Sequence, residues 1–301
     1  MILNKLIEKE VKEYGSEYKE RKEKGFRVIS PSNAKKYYTN PYEWKQNTLD
    51  GITTFNGNTS TYLGNVIHKF AELHRQGKLN NDNTLPKIEL DRIISNSTDI
   101  DLKEIYDKYP TMCKALLEEY LCIEREVLDS ELYLEYELTE DKILIAGTLD
   151  ELSNEDGKIY ISDFKTSSSP YKDVYDLVGH IVQLSVYNAL LLKTRGITVD
   201  KFRIVNIAQP TQKETNRVCI LECDAILDLG QNLLNEIVNM IIYCDNNKDL
   251  IPLLFRDNPF DGFVVSNKDK LDILVNKYIK NFTIKSSNIK KIEKLKKDIF
   301  G

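Results

Sequence analysis

Residues 131–167 constrain the fold more tightly than any other stretch. Three runs rich in β-branched and aromatic residues, LYLEYELT, KILIAGTLDEL and KIYISDFKTS, follow one another with short polar turns between them, one of which holds Asp156-Gly157. Runs of this composition and spacing predict three consecutive antiparallel strands. The third run also carries charge where a buried strand should not. Asp163 and Lys165 are two apart, so they share a face and Phe164 takes the other. Ile159 and Ile161 lie on the face of the two charges, so that face begins inside a core. Two charges at the inner end of a buried strand are costly unless paired, coordinated or opened to a cleft.

Asp150 ends the second run in the same way, and a hairpin through NEDG would bring it close to Asp163. Converging carboxylates repel each other and call for a cation. Oxygen ligation completed by water suits Mg²⁺ or Mn²⁺. With Lys165 alongside, the set fits a site that handles an anionic substrate and activates water. The alternative is an ordinary Asp150–Lys165 salt bridge at a strand end. The acid-x-lysine spacing alone carries no weight, because Glu10-Val-Lys12, Glu17-Tyr-Lys19, Glu20-Arg-Lys22 and Glu43-Trp-Lys45 repeat it in segments that read as helical surface.

Upstream, residues 1–25 have helical spacing and an exposed, charged composition. Ser30 or Ser32 can cap a helix that ends before Pro41. Residues 50–61 read as a loop, and TYLGNVIHKFAELHRQGKL as an amphipathic helix stopped at Gly77. Residues 88–130 read as mostly helical. Downstream, VGHIVQLSVYNALLLKTRG predicts a helix ending at Gly196. KFRIVNIAQP and RVCILEC predict strands, residues 225–245 a helix, and the lysine-rich NKYIKNFTIKSSNIKKIEKLKKD a further helix. The order implies an α/β fold with a mixed central sheet flanked by helices, its strand–helix–strand step supplying a parallel crossover. We expect one domain over 1–301: a mainly helical part (1–130), a sheet core (131–223) and a helical C-terminal part (224–301).

Composition excludes little. The 42 Lys and Arg against 47 Asp and Glu leave a net charge of −5, so a nucleic-acid partner would need a local basic groove. No secretory h-region and no apolar run near the ~18 residues of a membrane span are found, so a cytoplasmic location without membrane association is expected. Five cysteines, Cys113, Cys122, Cys219, Cys223 and Cys244, make an odd count without C-x-x-C spacing. That argues against a disulfide framework or a zinc ribbon and for plain thiols. No P-loop or Gly-rich phosphate cradle is found.

Three more features join Asp150 and Asp163. Gln183 and Tyr187 lie four apart on one helix face. His68 sits among Val66, Ile67 and Phe70. Ser30-x-Ser32 precedes Pro41-Tyr42. A lone histidine or Gln-x-x-x-Tyr pair is usually structural. In order, however, Ser-x-Ser…Pro-Tyr, Gly-x-x-x-His, Gly-x-x-Asp, Asp-x-Lys and Gln-x-x-x-Tyr resemble the RecB-type nuclease branch of the PD-(D/E)XK superfamily. That branch includes phage and mitochondrial genome maintenance exonucleases and the iron–sulfur nuclease of CRISPR adaptation. The motifs cover residues 30–187.

The resemblance implies a restriction-endonuclease-like core. It implies Asp150, Asp163, His68 and the Phe164 carbonyl as metal ligands, and Lys165 as the group that orients water and stabilises phosphate charge. Gln183 and Tyr187 would brace the site and contact the DNA backbone, with Ser30, Ser32 and Tyr42 on the substrate side. Glu137 stands where relatives often carry another acid, although Glu135 shares its face. His180 would lie at the site's edge. Tyr37, Tyr38, Tyr42 and Trp44 are either stacking residues or an aromatic patch that closes the N-terminal helices on the core.

The cysteines depart from the iron–sulfur relatives, since none precedes residue 113, so no cluster is expected. With no Walker motif, any helicase or recombination partner would be a separate chain. The implied activity is Mg²⁺- or Mn²⁺-dependent hydrolysis of DNA, as an exonuclease in replication, recombination or repair. A structure-specific endonuclease and a catalytically silent DNA-binding subunit are the rivals. Oligomeric state stays open.

Overall fold

The computed structural model describes residues 20–21, 23–52, 57–95, 101–171, 177–214, 217–250, 273, 275–279 and 281–286. Most of the charged segment 1–25 and the lysine-rich run 287–301 lie outside them. The strands are β1 (Arg27–Ile29), β2 (Glu126–Leu138), β3 (Ile143–Glu155), β4 (Lys158–Ser167), β5 (Lys201–Ala208), β6 (Val218–Asp224) and β7 (Thr283–Ser286). The helices are α1 (Pro31–Thr39), α2 (Pro41–Thr48), α3 (Thr59–Arg75), α4 (Lys87–Ser95), α5 (Leu102–Leu116), α6 (Val178–Arg195) and α7 (Leu227–Asn246), with a π-helical turn over Leu117–Leu121.

All seven strands join one mixed sheet in the order β1-β3-β4-β5-β6-β7, with β2 paired to β3. β1 runs parallel to β3 and β4 parallel to β5; the remaining pairs are antiparallel. The meander predicted from the sequence is β2-β3-β4, and α6 makes the crossover from β4 to β5. Helices cover both faces. Ile29, Trp44, Leu132, Ile145, Ile161, Leu184 and Ile237 belong to the core beneath α1, α2, α6 and α7. Phe164, Val205 and Ile207 pack on the opposite face against Leu63, Ile67, Phe70, Ile105 and Leu116 of α3 and α5.

Local chemistry sets the helix ends. Ser30 caps α1, its hydroxyl accepting the Asn33 N–H, and Pro31 starts the helix where no N–H is needed. Asn58 and Thr61 form a capping box on α3. Gly196, at φ +67°, ends α6 in the left-handed conformation that glycine enters without penalty. Cys113, Cys219, Cys223 and Cys244 are buried free thiols, and Cys122 is exposed. No helix among the described residues is long and apolar enough to cross a membrane.

Three expectations change. The 88–130 segment is not helical to its end: α4, α5 and the π turn stop at Leu121, and β2 begins at Glu126. The strand therefore starts five residues before the expected 131, and a bulge between Val127 and Asp129 carries it along the far end of β3. The short β1 was missed. So was β7, whose Thr283-Ile284 pair with β6 inside a segment expected to be helical. Three- and four-residue strands carry too little periodicity to be read alone; the edges they complete create them.

Candidate active site

The site forms where β3 loses its neighbours. β2 runs along one whole edge of β3. On the other edge β1 pairs only as far as Ile145, and β4 only from Glu151, opposite Ser162. Between them, residues 146–150 face no strand. Side chains fill this gap. The Tyr187 hydroxyl donates to the Thr148 carbonyl at 2.5 Å. The Asp150 carboxylate accepts the Phe164 N–H at 2.6 Å, taking over where main-chain pairing stops. Gly147 explains the glycine of Gly-x-x-Asp: a Cβ there would lie 2.6 Å from Pro31 Cδ and 3.1 Å from the Tyr187 hydroxyl.

The strand alternation also breaks here. Leu149 and Leu152, three apart, enter the same core, so the chain changes phase around Asp150. Across the ladder, Leu132 pairs with Leu149 and Ser130 with Glu151, which sets Glu131 opposite Asp150. Glu131 sits at φ +54°, a conformation a non-glycine residue enters at a cost of about 1–3 kcal/mol. From the other layer α3 brings His68, with Nδ1 3.3 Å from Asp150 Oδ1. Gly64, one turn earlier, lets α3 lie against β4: a Cβ there would meet the Thr166 hydroxyl at 3.2 Å.

His68, Glu131 and Asp150 each offer one ligand atom within 4.8 Å of the others. Asp163 is 3% exposed. Its Oδ1 accepts from Lys165 Nζ at 2.7 Å, while its Oδ2 is buried with no hydrogen-bond partner. The alternative of an Asp150–Lys165 salt bridge does not form; Lys165 pairs with Asp163.

Burial and charge compete throughout. Burial, then the Asp150 carboxylate, push Glu131 up to about 8. Burial would raise Asp150 too, but His68 and Lys165 outweigh it and hold that carboxyl below its ordinary range. Burial raises Asp163, and the neighbouring Asp150 adds to the rise against the pull of Lys165. For His68 and Lys165, burial disfavours the cation, yet the carboxylates beside them win and hold both above their usual values. Buried carboxyls driven up by one another's charge are the signature of a place that lacks positive charge.

Other expected residues fall on both sides of the line. Gln183 is buried on α6, one turn before Tyr187. Ser30 is half-buried and contacts the exposed Ser32 through their hydroxyls at 3.0 Å. Tyr42 is exposed, its hydroxyl accepting from Gln46. Trp44 is fully buried, with Tyr37 edge-on at 4.9 Å, so it closes α1 and α2 on the core and is not free to stack on a base. Tyr37 and Tyr38 are half-buried against the same core. His180 stacks on Tyr171 and is hydrogen-bonded to its hydroxyl at 3.0 Å.

Glu137 is a correction. It pairs with Leu144 near the hairpin turn and forms an ion pair with Arg21, well along β2 from the cluster. Glu131 is the acid on that strand that reaches Asp150. The turn at Glu140-Asp141 fixes the β2–β3 register and could have located it.

A divalent cation fits these residues. His68, Glu131 and Asp150 offer an imidazole nitrogen and two carboxylate oxygens, a donor set for Mn²⁺ or Mg²⁺ completed by water, and the partnerless Asp163 Oδ2 is a further oxygen that lacks a donor.

A family model for the PD-(D/E)XK nuclease superfamily matches residues 28–249. Among solved structures, "Crystal structure of SSO0001" is similar at 16% identity and TM-score 0.30, covering 66% of this chain and 84% of that one. Comparison with curated proteins gave no match.

Proposed function

The chain belongs to the PD-(D/E)XK nuclease superfamily, and from that premise we propose that it is a Mg²⁺- or Mn²⁺-dependent deoxyribonuclease of the RecB-type branch, acting on DNA from its ends. One observation carries the reading. At the gap in β3, His68, Glu131 and Asp150 converge within 4.8 Å, beside a buried Asp163 oxygen that lacks a donor and the Lys165 ammonium. A structural salt bridge needs one acid and one base. This arrangement has three acids, one of them in a strained backbone conformation, and it answers to a cation and a phosphate together.

Asp150, Asp163, Glu131 and His68 would hold the metal, with the Phe164 carbonyl as a further candidate ligand. When bound, the ion lowers the pKa of a water and offsets phosphate charge. The chain's own groups do the rest. Lys165, anchored on Asp163, donates to the phosphate oxygens or to the attacking water. Tyr187 holds the backbone two residues before Asp150, and Gln183 lies one turn away. In the reaction a water oxygen bonds to phosphorus and a P–O ester bond breaks. The proton lost by water ends on the departing alkoxide, leaving a phosphate monoester and an alcohol. Imidazole is a softer ligand than carboxylate, so the His68 position favours Mn²⁺ over Mg²⁺. Ser30, Ser32 and Tyr42 would contact the DNA from the N-terminal side. The ordered motif set supports one nuclease unit, with any helicase or recombination partner on another chain.

The test uses end-labelled linear single- and double-stranded DNA and circular single-stranded DNA, with Mg²⁺, Mn²⁺ or EDTA. Metal-dependent loss of linear substrate, reduced about 10²–10³-fold by Asp163→Ala and by Lys165→Ala, is expected. Resistance of the circle is expected of an exonuclease, and its cleavage would make the protein an endonuclease. Failure of the folded wild type on every substrate would leave a DNA-binding subunit as the reading.

A further inference from the structure

Lys35 lies on α1, five residues after the capping Ser30. Its stem crosses the first turn of α6, where a Cβ built on Gly179 would meet Lys35 Cδ at 3.1 Å and Cγ and Cε at 3.6 Å. The glycine opens a slot, and the half-buried side chain runs through it. Other lysines of α1 and α2 have counter-ions: Lys36 pairs with Glu43 at 2.5 Å and Lys45 with Asp50 at 2.7 Å. The Lys35 ammonium has no hydrogen bond or ion pair among the described residues.

The ammonium is within electrostatic reach of the candidate active site. Burial lowers its pKa, Lys165 lowers it further, and Asp163 pulls it up. His180 feels the same pair: burial, then Lys35 and Lys165, push its imidazole down to about 2, so it stays neutral between them. A half-buried ammonium with no anion is a cost to the fold. It is sensible where an anion arrives from outside.

We propose that Lys35 grips a phosphate of the bound nucleic-acid backbone, next to the phosphate that is hydrolysed. The inference rests on the nuclease reading and deepens it. Lys35 is a substrate-binding group, and the chemistry remains with the acids and Lys165.

The test compares wild type, Lys35→Met and Lys35→Arg. Thermal melting is followed in EDTA. Binding of a fluorescent DNA oligonucleotide is measured in EDTA at several salt concentrations, and kcat and KM are measured with Mn²⁺. Lys35→Met should keep or raise the melting temperature, because it removes an unpaired charge and keeps the stem. It should weaken DNA binding about tenfold and reduce the slope of log affinity against log salt by about 0.7–0.9. It should raise KM while kcat stays within about twofold, and Lys35→Arg should restore binding. Unchanged affinity and salt slope in Lys35→Met would overturn the proposal. So would a lower melting temperature with a binding loss that arginine fails to rescue, which would mark a structural lysine. Wild type that neither binds nor cleaves DNA would instead overturn the nuclease reading itself.

Discussion

Glu131→Gln should stabilise the metal-free protein and weaken the metal-bound one. Burial, then the Asp150 carboxylate, raise the Glu131 pKa from 4.5 to about 8. An acid raised on folding gives its full stability below its unfolded pKa, and loses it as pH rises towards the folded value. A tenfold change in proton affinity between the folded and unfolded chain is worth about 1.4 kcal/mol. At pH 7 the wild type has therefore given up as much as ~3 kcal/mol, and sharing of protons within the cluster brings this to about 1–3 kcal/mol. Glutamine keeps the shape and never ionises. In EDTA at pH 7 the variant should melt higher by about 2–6 °C, at roughly 2 °C per kcal/mol for a chain of this size. The gain should shrink towards zero as pH falls to 4.5. Mn²⁺ at a hundred times its dissociation constant stabilises wild type by about 2.7 kcal/mol. The variant, with an amide in place of a ligand carboxylate, should gain less, so its advantage narrows or reverses. Melting curves at pH 4.5, 6, 7 and 8, with EDTA or Mn²⁺, decide it. A Glu131→Gln protein destabilised in EDTA, or one whose difference from wild type ignores pH, would refute the cluster as an unsatisfied cation site.

Metal uptake should displace protons at pH 7, since Glu131 holds one below about 8 and the His68 imidazolium is held above its usual pKa. Calorimetric titration with Mn²⁺ in two buffers of different ionisation enthalpy should count about one proton or more released at pH 7 and far fewer at pH 9; equal heats in both buffers at pH 7 would contradict this. Gly147→Ala should cost about 1–3 kcal/mol, because its methyl meets the rigid Pro31 ring at 2.6 Å, and denaturant melts would show it. Tyr187→Phe removes the hydrogen bond to the Thr148 carbonyl, about 1 kcal/mol, and should lower kcat several-fold by loosening the strand that carries Asp150. A variant with full kcat would show that the clamp has no bearing on the chemistry.

The sheet core was legible because β2, β3 and β4 are long and their turns polar. Period and turn chemistry there agree, and Asp156-Gly157 fixes a register that carries Asp150 towards Asp163. The same arithmetic applied to the turn before Lys142 leads to Glu131. It was obscured because Glu131 stood at the boundary between the segment read as helical and the strand run, and because Glu135 and Glu137 offer competing acids on the same face. The phase change around Asp150 is invisible to any periodic template, since it arises from how β1 and β4 divide one edge of β3. Trp44 shows the opposite difficulty. Its sequence neighbourhood, with tyrosines and lysines, suits a stacking surface as well as a core, and only the docking of α1 and α2 onto the sheet chooses between them. The partnerless oxygen of Asp163 could not have been foreseen, because it depends on Lys165 turning to the other oxygen of the same carboxylate.

Adjacent residues show how the fold separates stability from chemistry. Glu151 is 1% exposed, yet every demand it makes is met: Tyr120 donates to one oxygen at 2.6 Å and Arg75 to the other at 2.7 Å. Tyr120 is sandwiched in turn, with the Arg125 guanidinium 3.8 Å above its ring and its hydroxyl 2.8 Å from Ser162. A buried carboxylate satisfied in this way contributes order without needing a ligand. Asp150 is its immediate neighbour, and its surroundings differ in kind: a histidine, a glutamate whose carboxyl is pushed up to about 8 and an aspartate with a bare oxygen. Both carboxylates come from the same strand, and the phase change sends one to a place where both its oxygens are paired and the other into a cluster that keeps a bare carboxylate oxygen. The hydrogen bonds around Glu151 span β3, β4, α3 and the π turn, so they hold the elements that carry His68, Asp150 and Asp163 whether or not a cation is present. The frame of the site thus does not depend on the charge the site lacks, which allows acids to be held at close quarters, at a local cost, until metal and phosphate arrive.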